Sequence, residues 1–554
     1  MPKITLNRKV VDKLLGQKLS DEKLKERMAM LGSDPEEVNS NIINIEVFPN
    51  RPDLLSEQGF ARAISSFLGR KTGLRQYKVE KSGFQVMVDK NLKNIRPYTV
   101  CALVRGLNLD ETKINEIINI QEKLHITFLR NRKKGAIGIY PLEHIKFPVY
   151  FKGVEPEEIV FAPLGSEVEM DADEILKVHP KGKEYAHLLE NFKLLPCFID
   201  ANKNFLSLTP IINSDLTGKV TEKTKDVFIE VSGSDLNTQN ICLNIIVTAL
   251  ADMGGRLYSV DVSLPGKRIT TPNLQPCRFK LNINNVNKLL GLNLTESQVK
   301  SLLARMGHDY KNNEVFVPAY RADIMHEVDI IEDIAVAYGY ENFKEELPNL
   351  STAGEENKFS VFKEKVDEIL VGLGLLEVKT YNISNNEIMS KKMNFDSEAI
   401  ELKNSKSSDY NVLRSCMISS LLEVLSRNKH NEYPQNIFEA SEVFYKGKTE
   451  TGVEEKCRLG IALSSRDVTF TNIKQVFDYL MNSLNIKYEI TERSPYGGHL
   501  TSLIEGRTAW VKAKGKPVAF LGEVHPQVLS NFGLELPVSV IELNISDLFE
   551  LSGN

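Results

Sequence analysis

The chain reads as an α+β multidomain protein, and three observations carry that reading. Its 554 residues are too many for one hydrophobic core, so about three to five domains are expected. Strand-like runs rich in Val, Ile and Tyr stand among capped helical patterns in every part of the chain. A polar segment at residues 341–358, ENFKEELPNLSTAGEENK, carries Pro348 and Gly354 and reads as a linker before the last domain.

Residues 1–80 form an N-terminal α/β unit. Residues 4–6 (ITL) open a short strand. Residues 20–32 make a capped helix, with Ser20 at the N-cap, Lys23 where a capping box would place Glu, and Gly32 as the stop. NIINIEVFPN is a β-rich run ended by Pro49, and RPDLLSEQGFARAISSFLG is a helix stopped by Gly69. Arg51, fixed between Asn50 and Pro52, reads first as an arginine that anchors the turn by hydrogen bonds, with a functional arginine as the alternative. Residues 85–265 form a larger α+β block, with strands in YTVCALVRGL, FPVYFKGV, KDVFIEVSG and GRLYSVDVSL and helices between. Residues 270–345 form a compact third unit. There TESQVKSLLARMG is a helix capped by Thr295 and stopped by Gly307, EVFVPAYR is a strand ending in Pro318, and a second helix follows; this order suits a winged-helix-like module. Residues 355–554 form the last domain, opening with a helix and a strand and carrying further strands in NIFEASEVFYKG, CRLGIALSS, TAWVKAK, PVAFLGEV and VSVIELNI.

Composition narrows the functional classes. Apolar content of 42% and charged content of 26% are those of an ordinary soluble globular protein. A net charge of −5 gives no global pull toward nucleic acid, so any RNA contact is local or shared with a partner. The six cysteines, Cys101, Cys197, Cys242, Cys277, Cys416 and Cys457, are scattered without a CxxC pair. That argues against a zinc knuckle or disulfide scaffold and fits a reducing cytoplasm. The start lacks a long apolar stretch and no run approaches about eighteen apolar residues, so neither a signal peptide nor a membrane span is expected.

The sharpest motif is PAYRADIMHEVDIIEDIAVAYGY, residues 318–340. Ile324, Val328, Ile331, Ala335 and Tyr338 recur at spacings of three and four and share a helical face. Asp323 stands at the helix start, and Asp329, Glu332 and Asp333 fall on roughly the opposite side. Like charges at these spacings repel by about 0.2–0.5 kcal/mol per pair. A hard divalent cation removes that cost; Mg²⁺ commonly takes one or two carboxylates and keeps several waters. A solvated acidic face satisfies the same pattern.

This string resembles the signature of the phenylalanyl-tRNA synthetase beta-subunit family, of the archaeal and eukaryotic-cytosolic type, among class II aminoacyl-tRNA synthetases. FPNRPDLLSEQGFARAISSFLG resembles the family's N-terminal region. GIYPLEHI, SLTPIINSD and KDVFIEVSGSDL resemble its editing module. LRSCMISSLLEVLSRNKHNEYPQNIFEASEVF and GEVHPQVLSNFGLELPVSVIELNI resemble its catalytic-like domain, an antiparallel sheet flanked by helices. The resemblance covers nearly the whole chain. It implies a cytoplasmic α2β2 heterotetramer with an alpha subunit, in which the alpha subunit uses ATP to attach phenylalanine to its tRNA. It implies a Mg²⁺ site at the subunit boundary on Asp323, Asp329, Glu332 and Asp333. It also implies an editing module that hydrolyses tyrosine wrongly attached to the phenylalanine tRNA.

By position in those motifs, the editing pocket is expected at Ser207, Asn213, Glu230 and Ser232. The family more often has Asp where Glu230 stands and Thr where Ser232 stands. Read without the resemblance, Ser207 and Asn213 are better explained as turn caps around Pro210 than as pocket residues. A pocket built to hydrogen-bond a tyrosine hydroxyl rejects phenylalanine, because polar groups are left unpaired when that hydroxyl is absent. The loop RNRKKG, with Arg130, Arg132, Lys133 and Lys134, is the strongest local basic patch and a candidate for tRNA phosphates, with a merely solvated loop as the alternative.

The last domain is expected to be inactive in synthesis. Arginines that clamp ATP phosphates act through bidentate geometry and permanent charge. NIFEASEVF has Glu439 and Glu442 but no arginine two residues before an acid, and Arg507 lacks a preceding glycine run. Two further readings are a free-standing aminoacyl-tRNA deacylase and a non-catalytic scaffold subunit with a dead pocket.

Overall fold

Alternation builds the first sheet. In Ile42–Val47 the side chains of Ile43, Ile45 and Val47 are fully buried and their neighbours are not, which is the period of a strand with one face on a core. This strand lies between Lys3–Asn7 and Ser33–Val38, antiparallel to both. The computed structural model describes residues 2–349, 352–491 and 500–552. The chain falls into two compact units, Met1–Leu347 and Pro348–Asn554. Residues 350 and 351 of the expected linker lie outside the described residues.

The capped helices form as their signals require. Ser20 accepts from the Lys23 amide at the start of Asp21–Met30. Thr295 and Gln298 form a capping box at the start of Glu296–Arg305. The helix read from RPDLL onward starts later, at Glu57, because Pro52–Leu54 is a separate 3-10 turn and Ser56 is the N-cap. Arg51 anchors that turn, holding Asp53 through Nε and Nη2 at 2.9 and 2.8 Å.

A ten-stranded sheet dominates the first unit. Its path begins at Ile212–Asn213, Phe205–Leu208, Leu195–Ile199 and Val149–Val154. It continues through Val79–Val88, Arg256–Leu264, Tyr98–Arg105 and Val227–Gly233, and ends at Gly135–Pro141; Lys267–Thr271 pairs off the path with Arg256–Leu264. The sheet therefore starts before residue 85 and ends after residue 265. One cluster of buried apolar side chains runs from Ile4 and Phe60 through Val100 and Ile229 to Met306 and Ala337. The three segments read separately in the sequence share this core. Cys277–Lys280, Glu314–Val317 and Asp309–Lys311 form a small antiparallel sheet beside the helices Ile283–Leu290, Glu296–Arg305 and Glu327–Tyr338.

The second unit is built on a seven-stranded sheet. Its order is Leu376–Glu377, Gln435–Lys446, Val453–Ser464, Val538–Asn544, Lys516–Val524, Leu503–Ala513 and Glu489–Thr491, antiparallel except at the first pair. Lys358–Gly372, Phe470–Ser483 and Ile545–Ser552 bury apolar residues on one face. Ile418–Asn428 and Pro526–Phe532 cover part of the other. No helix of the described residues is long and apolar enough to cross a membrane, and all six cysteines are free.

Candidate functional site

The ends of the ten-stranded path approach each other, and a cavity of about 320 Å³ opens where they meet. That is within the range of small-molecule sites. Period two puts Phe228, Glu230 and Ser232 on one face of Val227–Gly233, while Val227, Ile229 and Val231 join the core on the other. The neighbouring edge strand places Gly138 opposite Glu230 and Tyr140 opposite Phe228. From the far end of the path come Ser207 and Asn213. The buried Tyr140 hydroxyl joins the two ends, lying 3.0 Å from Ser207 Oγ, 3.3 Å from Asn213 Oδ1 and 3.3 Å from Glu230 Oε1.

Three of the four residues expected in the pocket therefore line it: Ser207, Asn213 and Glu230. Ser232 sits behind them, buried, and is not part of the wall. Ser207 makes one local contact of the kind a turn would need, with the Thr209 hydroxyl at 3.2 Å, but both it and Asn213 also face Tyr140. Sequence reading missed Tyr140 as a site residue. Its signal was present: Gly138 and Tyr140 alternate within GIYPL and so share a strand face. Gly138 has a steric reason as well, since a Cβ there would sit 2.3 Å from the Tyr140 hydroxyl and 2.6 Å from Glu230 Oε1.

Burial controls the electrostatics. It pushes the Glu230 carboxyl up to about 8, against the opposing pull of Arg96 and the hydroxyls of Tyr140 and Ser232. Glu230 is thus mostly neutral at pH 7 and can donate a hydrogen bond. Its Oε2 and the Ser232 hydroxyl are both buried without a full hydrogen-bond partner. An unpartnered carboxyl oxygen beside an apolar cavity is costly unless a ligand satisfies it. Burial also lowers His125 to about 4, so its imidazole is neutral; Nε2 accepts from the Ile137 amide at 2.9 Å. Glu122, beside His125 and Arg132, is held down at about 2 and stays charged.

The basic loop divides. Arg130 and Lys133 are exposed and Lys134 is half-buried. Arg132 is buried: Nη1 donates to the carbonyls of Pro210 and Ile211 at 3.1 and 2.8 Å, Nη2 meets Glu122 at 3.0 Å, and the guanidinium stacks 4.4 Å above the Tyr185 ring. Arg132 is thus a wall of the cavity rather than part of an exposed phosphate-binding patch. Three successive left-handed residues, Arg130, Asn131 and Arg132 with φ of 49°, 52° and 63°, turn its side chain inward, an arrangement that composition does not reveal.

The acidic helix, Glu327–Tyr338, also departs from its periodic reading. Asp333 is buried, against His308 Nε2 at 2.6 Å and Arg321 Nη2 at 2.9 Å. Asp323 grips the same Arg321 with two bonds of 2.7 and 2.6 Å. Burial opposes the Asp333 charge, yet Arg321 and His308 hold its carboxyl well below the usual range. Asp329 closes a capping box, accepting from the amides of Met325 and His326 at 2.8 Å each. Glu332 is exposed, and so is Val328, although its spacing places it on the apolar face. Among the described residues, no three His, Cys, Asp or Glu side chains are placed to hold a metal ion. A single ion on all four carboxylates does not fit this arrangement, because two of them neutralise Arg321. A water-rich site using Glu332 and Asp329 alone would suit the one or two carboxylates that Mg²⁺ commonly takes.

Among the described residues of the second unit, Arg414, Arg458 and Arg507 each meet a carboxylate. Arg414 and Glu439 are fully buried together at 3.2 Å, with Arg414 also donating to Thr380, Asn382 and the Glu442 carbonyl. Arg458 meets Glu542 at 2.7 Å, and Arg507 meets Glu523 at 2.6 Å.

Residues 279–340 match the tRNA synthetase B5 domain, and residues 344–545 match the phenylalanyl tRNA synthetase beta chain CLM domain. The chain is 40% identical over 563 residues to the phenylalanine–tRNA ligase beta subunit of Pyrococcus abyssi, covering 99% of this chain and 100% of that protein. It is 42% identical over 507 residues to the corresponding subunit of Pyrococcus furiosus, covering 90% of each. A crystal structure of an N-terminal fragment of the phenylalanyl-tRNA synthetase beta-subunit from Pyrococcus horikoshii matches with 41% identity and a TM-score of 0.59, over 61% of this chain and 99% of that one. On identity that spans essentially its whole length, the chain belongs to the phenylalanine–tRNA ligase beta-subunit family.

Proposed function

We propose that the chain works with an alpha subunit, as an α2β2 heterotetramer in the cytoplasm, in the ATP-dependent attachment of phenylalanine to its tRNA, and that its own chemistry is editing. The observation that carries the editing reading is the cavity lined by Ser207, Asn213 and Glu230, with the buried Glu230 Oε2 left without a hydrogen-bond partner. A tyrosyl hydroxyl entering there would meet a neutral, donating Glu230, whereas a phenylalanyl ring would leave the polar groups unpaired. Ser207 and Asn213, tied to Glu230 through Tyr140, hold the reading group in position. The exposed Arg130 and Lys133, with Lys134 beside them, supply cations for the phosphates of the tRNA acceptor end.

The engaged state of Arg414 and Arg507 supports placing synthesis in the alpha subunit. In this reading the helix Glu327–Tyr338 belongs to a winged-helix-like module, and the second unit is a class II-like core without synthetic activity. Any Mg²⁺ at the subunit boundary would rest on Glu332 and Asp329, where it would relieve their mutual repulsion; further ligands would come from water or the partner. The free thiols agree with a reducing compartment.

Two assays test the proposal. Phenylalanylation should require the mixture of this chain and an alpha subunit, and activity of this chain alone would refute the division of labour. The chain should hydrolyse tyrosyl-tRNA made on the phenylalanine tRNA, and Ser207→Ala together with Glu230→Ala should abolish it. Unaltered hydrolysis in that double variant would move the editing site elsewhere. No hydrolysis by the parent chain would favour the scaffold reading.

A further inference from the structure

The second unit carries a cavity that the proposed function leaves unused. It measures about 510 Å³ and lies on the sheet face that Ile418–Asn428 and Pro526–Phe532 cover only in part. Arg458 and Glu542 lie on its floor, Phe520, Trp510 and Leu503 form apolar walls, and Asp396 and Glu398 stand at the rim.

The floor is chemically incomplete. Arg458 spends Nη1 on Glu542 and lies 5.1 Å above the Tyr445 ring. Its Nε is buried without a hydrogen-bond partner, and no partner is found for Nη2 among the described residues. The Nε–Nη2 edge of a guanidinium is the geometry that grips a carboxylate with two parallel bonds. Glu542 does not fill that edge, since its second oxygen accepts from the Met417 amide at 3.0 Å. The rim has the opposite sign. Asp396 and Glu398 are exposed and would favour a cation at the mouth.

From an unfilled carboxylate grip, an acidic rim and aromatic walls, we infer that this cavity binds an apolar α-amino acid in its zwitterionic form. Arg458 takes the carboxylate, Asp396 and Glu398 face the ammonium group, and the side chain rests against Phe520 and Leu503. The site is separate from the editing cavity, which lies in the other unit.

Trp510 is the sole tryptophan of the chain and lines this cavity, so its emission reports on this site and not on the editing pocket. The test is a fluorescence titration of the full chain with L-phenylalanine, phenethylamine and 3-phenylpropionate. L-Phenylalanine should shift Trp510 emission saturably, and each analogue, lacking one charged group, should bind about tenfold or more weakly. Arg458→Lys, which keeps a charge for Glu542 but loses the fork, should weaken L-phenylalanine by a similar factor. So should the exposed pair Asp396→Asn with Glu398→Gln, where misfolding is not at issue. No saturable shift at millimolar L-phenylalanine, equal affinity for the analogues, or affinity unchanged in the rim variants would overturn the inference. None of these results bears on ester hydrolysis at Glu230, which is assayed independently.

Discussion

At the scale of single residues, Glu230 shows how burial changes the protonation of an ordinary carboxyl. Its value of about 8 lies above the usual 4.5, so the folded chain binds the proton more tightly than the unfolded one. The resulting stability is fully present below pH 4.5 and is lost as pH rises through 8. Glu230→Gln should therefore raise the melting temperature by an increment that grows from about pH 5 to about pH 9, as read by thermal unfolding. A constant increment would mean that the carboxyl is ionised throughout. Tyr140 supports the same network from the neighbouring edge strand. Tyr140→Phe leaves Glu230, Ser207 and Asn213 without their shared hydroxyl and should cost about 1–3 kcal/mol in urea unfolding. A loss near zero would show that water replaces it.

At the scale of elements, the helix Glu327–Tyr338 and the loop at residues 130–134 make the same point: formal charge and functional charge are different things. Asp333 compensates the buried Arg321, so Asp333→Ala should cost about 3–5 kcal/mol. Glu332→Ala, at an exposed position, should stay within about 0.5 kcal/mol. Chemical denaturation of the two variants ranks them directly, and equal effects would refute the assigned pairing. If Glu332 and Asp329 carry an ion at the subunit boundary, Glu332→Ala and EDTA should each weaken association with the alpha subunit, and the two effects should not add. In the loop, neutralising Arg130 and Lys133 should reduce the slope of log affinity for tRNA against log salt by about 0.7–0.9 per lost phosphate contact. Arg132→Ala should instead lower stability, because it strips the Pro210 and Ile211 carbonyls and Glu122 of their donor.

At the scale of the molecule, the two compact units differ in how they hold their polar groups. The first encloses the polar-ended cavity beneath a shared apolar core; the second has a sheet whose arginines are engaged by carboxylates. Removing the Arg414 guanidinium leaves Glu439 buried and uncompensated. Arg414→Ala should therefore destabilise the second unit by about 3–5 kcal/mol. Hydrolysis of mischarged tRNA by the first unit should persist at temperatures where the variant's second unit remains folded. Calorimetry with a parallel hydrolysis assay would check this, and loss of hydrolysis without any unfolding transition would show that the units are coupled.

The α+β class, the caps at Ser20 and Thr295, four of the ten strands of the large sheet and the acidic helix were legible in the sequence. Each depends on neighbours a few residues away, through side-chain periodicity, amide capping or a glycine stop. The family was legible too, because its strings are local. Three of the four pocket residues could be named from those strings, but not the hydroxyl that joins them: Tyr140 lies 67, 73 and 90 positions from its partners Ser207, Asn213 and Glu230. Nor could spacing separate Asp333 from Glu332 or Arg132 from Arg130. Which charge is buried and which is solvated depends on what lies across the core, on His308 and Arg321 for Asp333 and on Pro210, Ile211 and Tyr185 for Arg132. The sequence by itself determined the elements and the family. The tertiary structure alone decided which polar groups meet, because burial and pairing of charge are set by contacts between distant segments.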